Sequence, residues 1–316
     1  MTTFGYKLSS EEHGPRDLVR YAGMAEQAGF RFGVISDHFH PWVDAEGHSP
    51  FVWSVLGGIA QVTSDFGVGT GVTCPTIRIH PGLVAQAAAT CGVMLPGRFF
   101  LGVGSGENLN EHVFGDKWPP ASVRLEMLDE AVAVIRKLWE GGVQSHRGKH
   151  YTVENARIYD LPEQLPPVIV AAAGPRATAL AAEIGDGFMG VAPKKETIDR
   201  FHDKGGKGPI YGEVSVCYAP DEASAKKLVA ETWPLPGLPG ELSQELRTPA
   251  HFEQASELVT EDKVAETVAC GPDPERHIEN IKRFVEAGYD HVFVHQIGPD
   301  QEGFMNFYEK EILPHV

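Results

Sequence analysis

Short apolar runs alternate with longer amphipathic stretches along almost the whole chain. Over residues 123–141, for example, Leu125, Leu128, Val132 and Ile135 recur at intervals of three or four, which predicts a helix buried along one face. Eight apolar runs predict strands, at 5–8, 32–39, 66–72, 98–104, 168–172, 187–191, 210–218 and 290–296. Because a helical pattern follows most of them, we predict parallel strands joined by right-handed crossovers. Eight such α/β units close most economically into a (β/α)8 TIM barrel, and an open doubly wound sheet is the weaker alternative.

Two segments interrupt this rhythm. Residues 144–161 place the turn-like sequence RGK, at 147–149, between β-rich flanks, which predicts a hairpin. The second segment, 234–261, begins with several prolines, and a helix is predicted after it at 262–269. No linker or change of composition marks a second domain. We therefore predict one barrel domain over 1–316, with these two segments as insertions.

The charge of the chain limits the kinds of partner. With 27 Lys and Arg residues against 43 Asp and Glu residues, the net charge is −16. An acidic surface disfavours nucleic acid and anionic membranes, since binding to both depends on basic residues. The four cysteines form no C-x-x-C pair, and neither a signal-peptide pattern nor a run of about 18 apolar residues occurs. We expect a cytoplasmic protein that binds small molecules, without nucleic-acid or membrane partners.

A dense group of titratable and aromatic residues, SDHFHPW at 36–42, follows the second predicted strand. Catalytic side chains in barrels lie at the C-terminal ends of strands, so His38 is a candidate for proton transfer near neutral pH, with Asp37 or a neighbouring residue orienting it. Trp42 would form an aromatic wall for a substrate. The structural alternatives are capping of the loop by Asp37 and simple packing of Trp42.

The same segment carries His38 and His40 two residues apart, as in metal-dependent hydrolases built on barrels. Pro41 follows at once, and no second histidine pair or Cys/His cluster supplies further ligands. We therefore assign no metal ligands and keep a metal-dependent barrel hydrolase as a competing functional class.

Glycine and other small residues end three further predicted strands. GVGSGE at 102–107 has Glu107 where the dinucleotide-binding fingerprint needs glycine, so we interpret it as a loop that lets a flat ring or a phosphate approach the backbone. GTG at 69–71 indicates a bulge or a close approach to a ligand. AAAGPR at 171–176 leads into a helix whose N-terminus could bind an anion, although a plain strand–helix turn has the same composition.

Together these motifs resemble one known family. The resemblance is carried by GYK at 5–7, SDHFHPW at 36–42, GVGSGE at 102–107 with Asn110, AAGP at 172–175 and GDGF at 185–188. The chain resembles the luciferase-like superfamily, in the branch that uses the deazaflavin coenzyme F420, and in particular its actinobacterial glucose-6-phosphate dehydrogenase group. The family fold is a TIM barrel, often paired into homodimers.

The resemblance implies roles for individual residues. His38 would be the catalytic base, Glu107 the acid beside N1 of the coenzyme, and Trp42 a stabiliser of developing charge; Glu11 is a further active-site carboxylate, and the base remains open among His38, Glu107 and Glu11. The implied coenzyme contacts are Asp37, Gly71, Val72, Ser105, Gly106, Glu107, Asn110, Ala173, Gly174 and Pro175, with a cis peptide between Gly71 and Val72. Lys194 would bind a substrate phosphate. Arg247, Lys195 or Lys263 could replace the two other basic residues of the family, whose positions fall near Ser243 and Glu266.

The function implied is oxidation of a sugar 6-phosphate at C1, with hydride transfer to C5 of coenzyme F420. The alternative is an F420-dependent dehydrogenase of a non-phosphorylated alcohol. A non-catalytic coenzyme carrier and an FMN monooxygenase are further alternatives, besides the metal-dependent hydrolase.

Overall fold

The computed structural model describes residues 2–238 and 240–316, so Met1 and Pro239 of the predicted domain lie outside the described residues. Eight parallel strands close into a barrel: the first strand pairs with the second and the eighth, and pairing of the sixth with the seventh completes the ring. The strands are β1 (Thr3–Leu8), β2 (Phe32–Ile35), β3 (Gly67–Thr70), β4 (Phe99–Val103), β5 (Val168–Ala171), β6 (Gly187–Gly190), β7 (Ile210–Cys217) and β8 (His291–Gln296). All eight coincide with predicted strands, and the (β/α)8 barrel is confirmed.

Helices surround the barrel, and apolar stripes hold them against it. In the first helix the buried residues Leu18, Tyr21, Ala22 and Ala25 recur at helical spacing, while Arg16, Asp17 and Arg20 face solvent. The longer helices are Pro15–Gln27, Val52–Val62, Pro81–Met94, Ala121–Trp139, Pro175–Ile184, Lys195–Asp203, Glu222–Thr232, Pro249–Ser256, Pro274–Ala287 and Gln301–Phe307. Short helical turns are Asn108–Glu111, Leu235–Gly237, Leu242–Glu245, Glu261–Val264, Tyr308–Ile312 and Leu313–His315.

The barrel interior is apolar over most of its depth and charged near the C-terminal ends of the strands. The apolar part consists of Phe32, Val34, Phe100, Ile169, Met189, Tyr211 and Phe293. On β1, β7 and β8 the charged or titratable residues Lys7, Glu213 and His295 replace such side chains, and each is largely buried. Buried charges need partners, so this layer positions the polar groups at the mouth of the barrel.

Two excursions leave the barrel. Gln144–Arg147 and Thr152–Ala156 form the predicted antiparallel hairpin. Residues 234–261 form short helices whose apolar side chains join a separate cluster, which we call the cap. The cap comprises Trp42, Val43, Leu109, Cys217, Ala219, Ala225, Val229, Trp233, Phe252, Val264, Val268, Cys270 and Ile297.

Two element boundaries differ from the prediction. The helix predicted over 262–269 was wrong at its end: the turn ends at Val264, and Ala269–Cys270 pairs in parallel with β7. The second strand was predicted to reach residue 39 but ends at Ile35. At Ser36 the side chain bonds to the backbone of Ser10 and to Glu11, so the regular sheet ladder stops where the candidate site begins.

Candidate active site

The core of the site is a carboxylate–imidazole contact between the loops that follow β1 and β2. Nε2 of His38 lies 3.3 Å from Oε1 of Glu11, and both side chains are nearly inaccessible. Nδ1 of His38 lies 3.1 Å from the carbonyl oxygen of His40. Because a carbonyl only accepts, Nδ1 carries a hydrogen, and Nε2 is the nitrogen at which a proton is gained or lost.

Hydroxyl groups hold the Glu11 carboxylate in place. Oε2 accepts hydrogen bonds from Ser9 Oγ, at 3.2 Å, and from Ser36 Oγ. Burial opposes ionisation of Glu11, but the charges of His38 and Lys7, with the Ser36 hydrogen bond, outweigh burial and lower its pKa. Glu11 is therefore a fixed negative charge beside Nε2 of His38, placed to stabilise a positive charge on that ring when one forms.

Trp42 packs across His38 and joins it to the cap. The two ring centroids lie 4.8 Å apart at 61°, and on its other side the indole meets Phe252 at 5.2 Å. Since only 9% of Trp42 is exposed, the predicted aromatic wall and the packing alternative both describe it. Trp233, also in the cap, lies edge-on to His295 at 4.6 Å.

Asp37 does not contact the His38 ring directly but belongs to a second buried charge cluster. Its Oδ1 lies 2.8 Å from Arg78, and its Oδ2 accepts a hydrogen bond of 2.8 Å from Thr73. The backbone N–H of Arg78 donates to Glu111 at 2.7 Å. Burial raises the pKa of Glu111 to about 7 in spite of the Arg78 contacts.

The peptide bond between Gly71 and Val72 is cis, as the family resemblance implied. Its carbonyl oxygen accepts a hydrogen bond of 3.3 Å from Nζ of Lys7, which also pairs with Glu213 at 3.1 Å. Burial disfavours the charged lysine, but Glu213 and Glu11 raise the pKa of Lys7 above its ordinary value. A buried cation thus holds the backbone at the end of β3.

The glycine-rich loop after β4 brings four of the predicted coenzyme residues together: Ser105, Gly106, Glu107 and Asn110. Gly106 has φ +78°, and a Cβ there would lie 2.6 Å from Sγ of Cys74, so only glycine fits. The Glu107 carboxylate forms no hydrogen bond or ion pair within the described part of the chain. Asn110 accepts hydrogen bonds from the backbone of Phe39 and His40, which ties this loop to the His38 loop.

After β5 the chain exposes Ala173, Gly174 and Pro175 at the start of a ten-residue helix. Gly174 is the N-cap, and no side chain caps the free N–H groups. A Cβ at Gly174 would meet nothing within 4 Å, in contrast to Gly106. The helix start therefore leaves backbone N–H groups accessible, and its use as an anion site stays a prediction.

Lys194 and Arg247 lie at exposed positions after β6 and within the second excursion. Neither side chain forms an ion pair with a residue of 2–238 or 240–316. The segment that carries Arg247 crosses the Glu107 loop, since Asn108 donates to the carbonyl of Glu245 at 3.0 Å.

Several residues to which the sequence assigned no individual role complete the site. They are Lys7, Ser36, Glu46, Thr73, Arg78, Glu111, Glu213 and His295. A charged residue within a buried strand, such as Lys7, was one available signal. Arg78 and Glu46 lie in loops without a recognisable pattern, and only the tertiary structure shows their contacts.

Two further observations concern metal binding and membrane insertion. Within 2–238 and 240–316, no group of three His, Cys, Asp or Glu side chains could hold a metal ion. None of the helices described is long and apolar enough to cross a membrane.

Comparison with known proteins decides the family. A family model described as luciferase-like monooxygenase matches residues 1–291. The chain belongs to this family. Among its luciferase-like relatives, the F420-dependent glucose-6-phosphate dehydrogenase of Microbacterium testaceum is 38% identical over 326 residues, covering 99% of this chain and 97% of the relative. The enzyme of the same name from Beutenbergia cavernae is 37% identical and covers 100% and 98%.

Solved structures of other proteins have the same fold. An F420-dependent secondary alcohol dehydrogenase, in complex with an F420–acetone adduct, superposes with a TM-score of 0.91 at 31% identity over 98% of both chains. The F420-dependent tetrahydromethanopterin reductase of Methanopyrus kandleri has a TM-score of 0.79 at 22% identity over 99% of both chains, and this likeness shows the fold alone.

Proposed function

We propose that this protein is an F420-dependent dehydrogenase that oxidises a sugar 6-phosphate at C1. The buried Glu11–His38 pair at the mouth of the barrel carries the proposal, because alcohol oxidation requires a group that takes the hydroxyl proton. Full-length relatives named F420-dependent glucose-6-phosphate dehydrogenase support it.

The residues present fit a flat, anionic coenzyme. Nδ2 of Asn110 is a buried donor without a hydrogen-bond partner in the described structure, at the point where the Glu107 loop meets the His38 loop. Leaving a buried donor unpaired costs about 1–3 kcal/mol, which a ligand acceptor would remove. Ser105, Gly106 and the uncapped helix start at Gly174 and Pro175 offer backbone donors to a phosphate. When bound there, coenzyme F420 supplies the hydride acceptor, C5 of its deazaflavin ring.

The protein's own residues then handle the protons. Nε2 of His38 takes the proton of the substrate hydroxyl, and ionised Glu11 stabilises the imidazolium that forms. Trp42 excludes water from one side of the His38 ring. Glu107 has no partner of its own in the described structure, so its carboxyl group is available on the coenzyme side, where the family resemblance implies an acid beside N1. Asp37 is saturated by Thr73 and Arg78, which suits a role in shaping the loop.

Substrate charge would be met at Lys194 and Arg247. Both are exposed and lack an ion-pair partner among the described residues, so their charges remain available to a phosphate. The acidic protein has a net charge of −16, and local cations are therefore needed for any anionic substrate.

A second candidate keeps the coenzyme and replaces the sugar phosphate with a non-phosphorylated alcohol. The similarity to a secondary alcohol dehydrogenase favours it, as do the aromatic residues Trp42, Trp233 and Phe252 of the cap. An apolar wall recognises a small alcohol without any cation.

We further propose that the whole chain acts as one barrel domain, in the cytoplasm of an actinobacterium and as a homodimer. The acidic charge and the family resemblance support this setting.

The test is binding of F420, FMN and NADPH side by side, followed by turnover. We expect F420 to bind at least tenfold more tightly than the other two, and hexose 6-phosphates to reduce it. Preference for simple secondary alcohols would establish the second candidate. FMN binding with oxygen consumption would overturn both, and tight F420 binding without turnover on any alcohol would identify a carrier.

A further inference from the structure

The carboxyl group of Glu46 is buried inside the loop that carries Trp42. Only 6% of the residue is exposed, and its Oε2 accepts hydrogen bonds from the backbone N–H of Trp42 at 2.6 Å and of Val43 at 3.2 Å. The backbone N–H of Glu46 donates to the carbonyl of Val43 at 3.1 Å, which closes a tight turn. Glu46 therefore holds both residues of the loop that enter the cap.

The second oxygen of Glu46 differs from the first. Oε1 is buried and has no hydrogen-bond partner in the described structure. Burial, followed by the negative charges of Glu11 and Glu12, raises the pKa of Glu46 well above its ordinary value. The group is a neutral acid whose carbonyl oxygen accepts from the backbone, and glutamine reproduces that shape without a charge.

No regular secondary structure holds this loop, so a few contacts fix its course. Glu46 holds it from the inside. From the outside, exposed Glu253 accepts a hydrogen bond of 3.1 Å from the backbone of Asp44. The backbone of His48 donates to the carbonyl of Glu11 at 2.9 Å.

We propose that Glu46 is a positioning residue, which sets the Trp42 indole against the His38 ring by fixing the backbone of Trp42 from within the loop. Its contribution to turnover rests on the proposed dehydrogenase function, but its effect on Trp42 does not. The indole lies between His38 and Phe252, with centroids 4.8 and 5.2 Å away, so a small shift of the Trp42 backbone changes both contacts. Displacements of about 1 Å can cost roughly 100-fold in rate.

The first experiment observes Trp42 without any coenzyme or substrate. In full-length protein labelled with 5-fluorotryptophan, the five tryptophans give separate fluorine signals, and Trp42→Phe assigns one of them. We expect Glu46→Ala to shift or broaden the Trp42 signal, and Glu46→Gln to leave it in place. Glu253→Ala is the matched control, since it removes a carboxylate–backbone contact from the same loop on its exposed side, and it should leave the signal unchanged.

The second experiment measures turnover. We expect Glu46→Ala to lower kcat/KM about 10- to 100-fold and Glu46→Gln to stay within about threefold of the parent. In a Trp42→Ala background the Glu46→Ala change should have little further effect, because two residues that act through one contact are not additive.

The two readouts separate the inference from the proposed function. An unchanged Trp42 signal in folded Glu46→Ala overturns the inference, as does a full additional loss in the Trp42→Ala background. If Glu46→Ala does not fold, Glu46→Gln decides: a displaced Trp42 signal contradicts the neutral-acceptor role, and an unchanged one supports it. A shifted Trp42 signal in a protein that reduces no F420 supports the placement of Trp42 while the dehydrogenase proposal fails.

Discussion

The two halves of the candidate site are built from different materials. The half formed by the loops after β1 and β2 consists of charged side chains that bind one another: Glu11 pairs with His38, and Asp37 pairs with Arg78. The half formed by the loops after β4 and β5 consists of glycine, alanine and serine, with an exposed and uncapped helix start at Gly174. In the first half the charged groups are paired with one another, whereas in the second the backbone donors of the helix start are left open.

This contrast indicates where organisation precedes binding. Groups that act on a proton must be held within a fraction of an ångström, so the protein provides their partners itself. A coenzyme phosphate is held by several backbone donors, which need only be accessible. We therefore expect substitutions in the first half to change turnover and substitutions in the second half to change coenzyme affinity.

The largest expected effect is that of His38→Ala. Removing the ring takes away the proton acceptor and the partner of the buried Glu11 carboxylate, so kcat should fall about 10²–10⁴-fold. The dissociation constant of F420 should change by no more than about threefold. Stopped-flow reduction of F420 and a fluorescence titration measure the two quantities. Loss of coenzyme binding together with turnover would show that the halves are not separate.

The sequence predicted the first-half residues that carry chemistry but not those that hold them. His38, Trp42 and Asp37 stand together at 36–42, so a local pattern revealed them. Arg78 was missed because its contact with Asp37 spans 41 positions and exists only once the ends of β2 and β3 are adjacent.

In the second half the prediction rested on composition and not on a cluster of titratable side chains. Composition alone predicted the glycine loop and the helix start, because backbone donors are accessible only where the side chains around them are small. The fold followed from periodicity for the same reason: buried strands such as β8 are apolar in an uninterrupted local run. The end of the 262–269 helix failed because pairing of Ala269 with β7 overrides local helical preference.

Glu111 connects the two halves and should make stability depend on pH. Burial raises its pKa from 4.5 to about 7, so from pH 4.5 to 7 the folded protein keeps a proton that the unfolded chain has lost. Stability must therefore fall as pH rises through this window, by about 3 kcal/mol at roughly 1.4 kcal/mol per pKa unit. Glu111→Gln removes the titration, so its stability relative to the parent should rise with pH by that amount. Urea denaturation at pH 4.5, 6 and 7.5 measures it, and a constant difference between the two proteins would contradict the assignment.

A smaller effect distinguishes two glycines within the second half, formed by the loops after β4 and β5. Gly106→Ala forces a Cβ against Cys74 at a φ of +78°. It should therefore lower the free energy of unfolding by about 1–3 kcal/mol and weaken F420 binding about tenfold. Gly174→Ala meets open space at a φ of −90° and should change affinity less than about threefold. Isothermal titration with F420 gives both values. Equal losses at the two positions would mean that the loop after β4 needs no special backbone geometry.

The smallest expected effect concerns Lys194 and Arg247, which stand outside both halves. Because both are exposed, salt and water screen their charges, and each alanine variant should raise KM for a hexose 6-phosphate about tenfold at most, with kcat unchanged. KM for an uncharged secondary alcohol should not move. Lys195→Ala is the matched control, since Lys195 already pairs with Asp199 at 2.6 Å on the same exposed surface. A rise in the F420 dissociation constant instead would mean that Lys194 and Arg247 bind the coenzyme and not the substrate. If neither KM nor the F420 dissociation constant changes, at low as well as at physiological salt, then Lys194 and Arg247 do not bind the phosphate. Because an acidic protein needs local cations for a phosphate, this result would favour the non-phosphorylated alcohol as substrate.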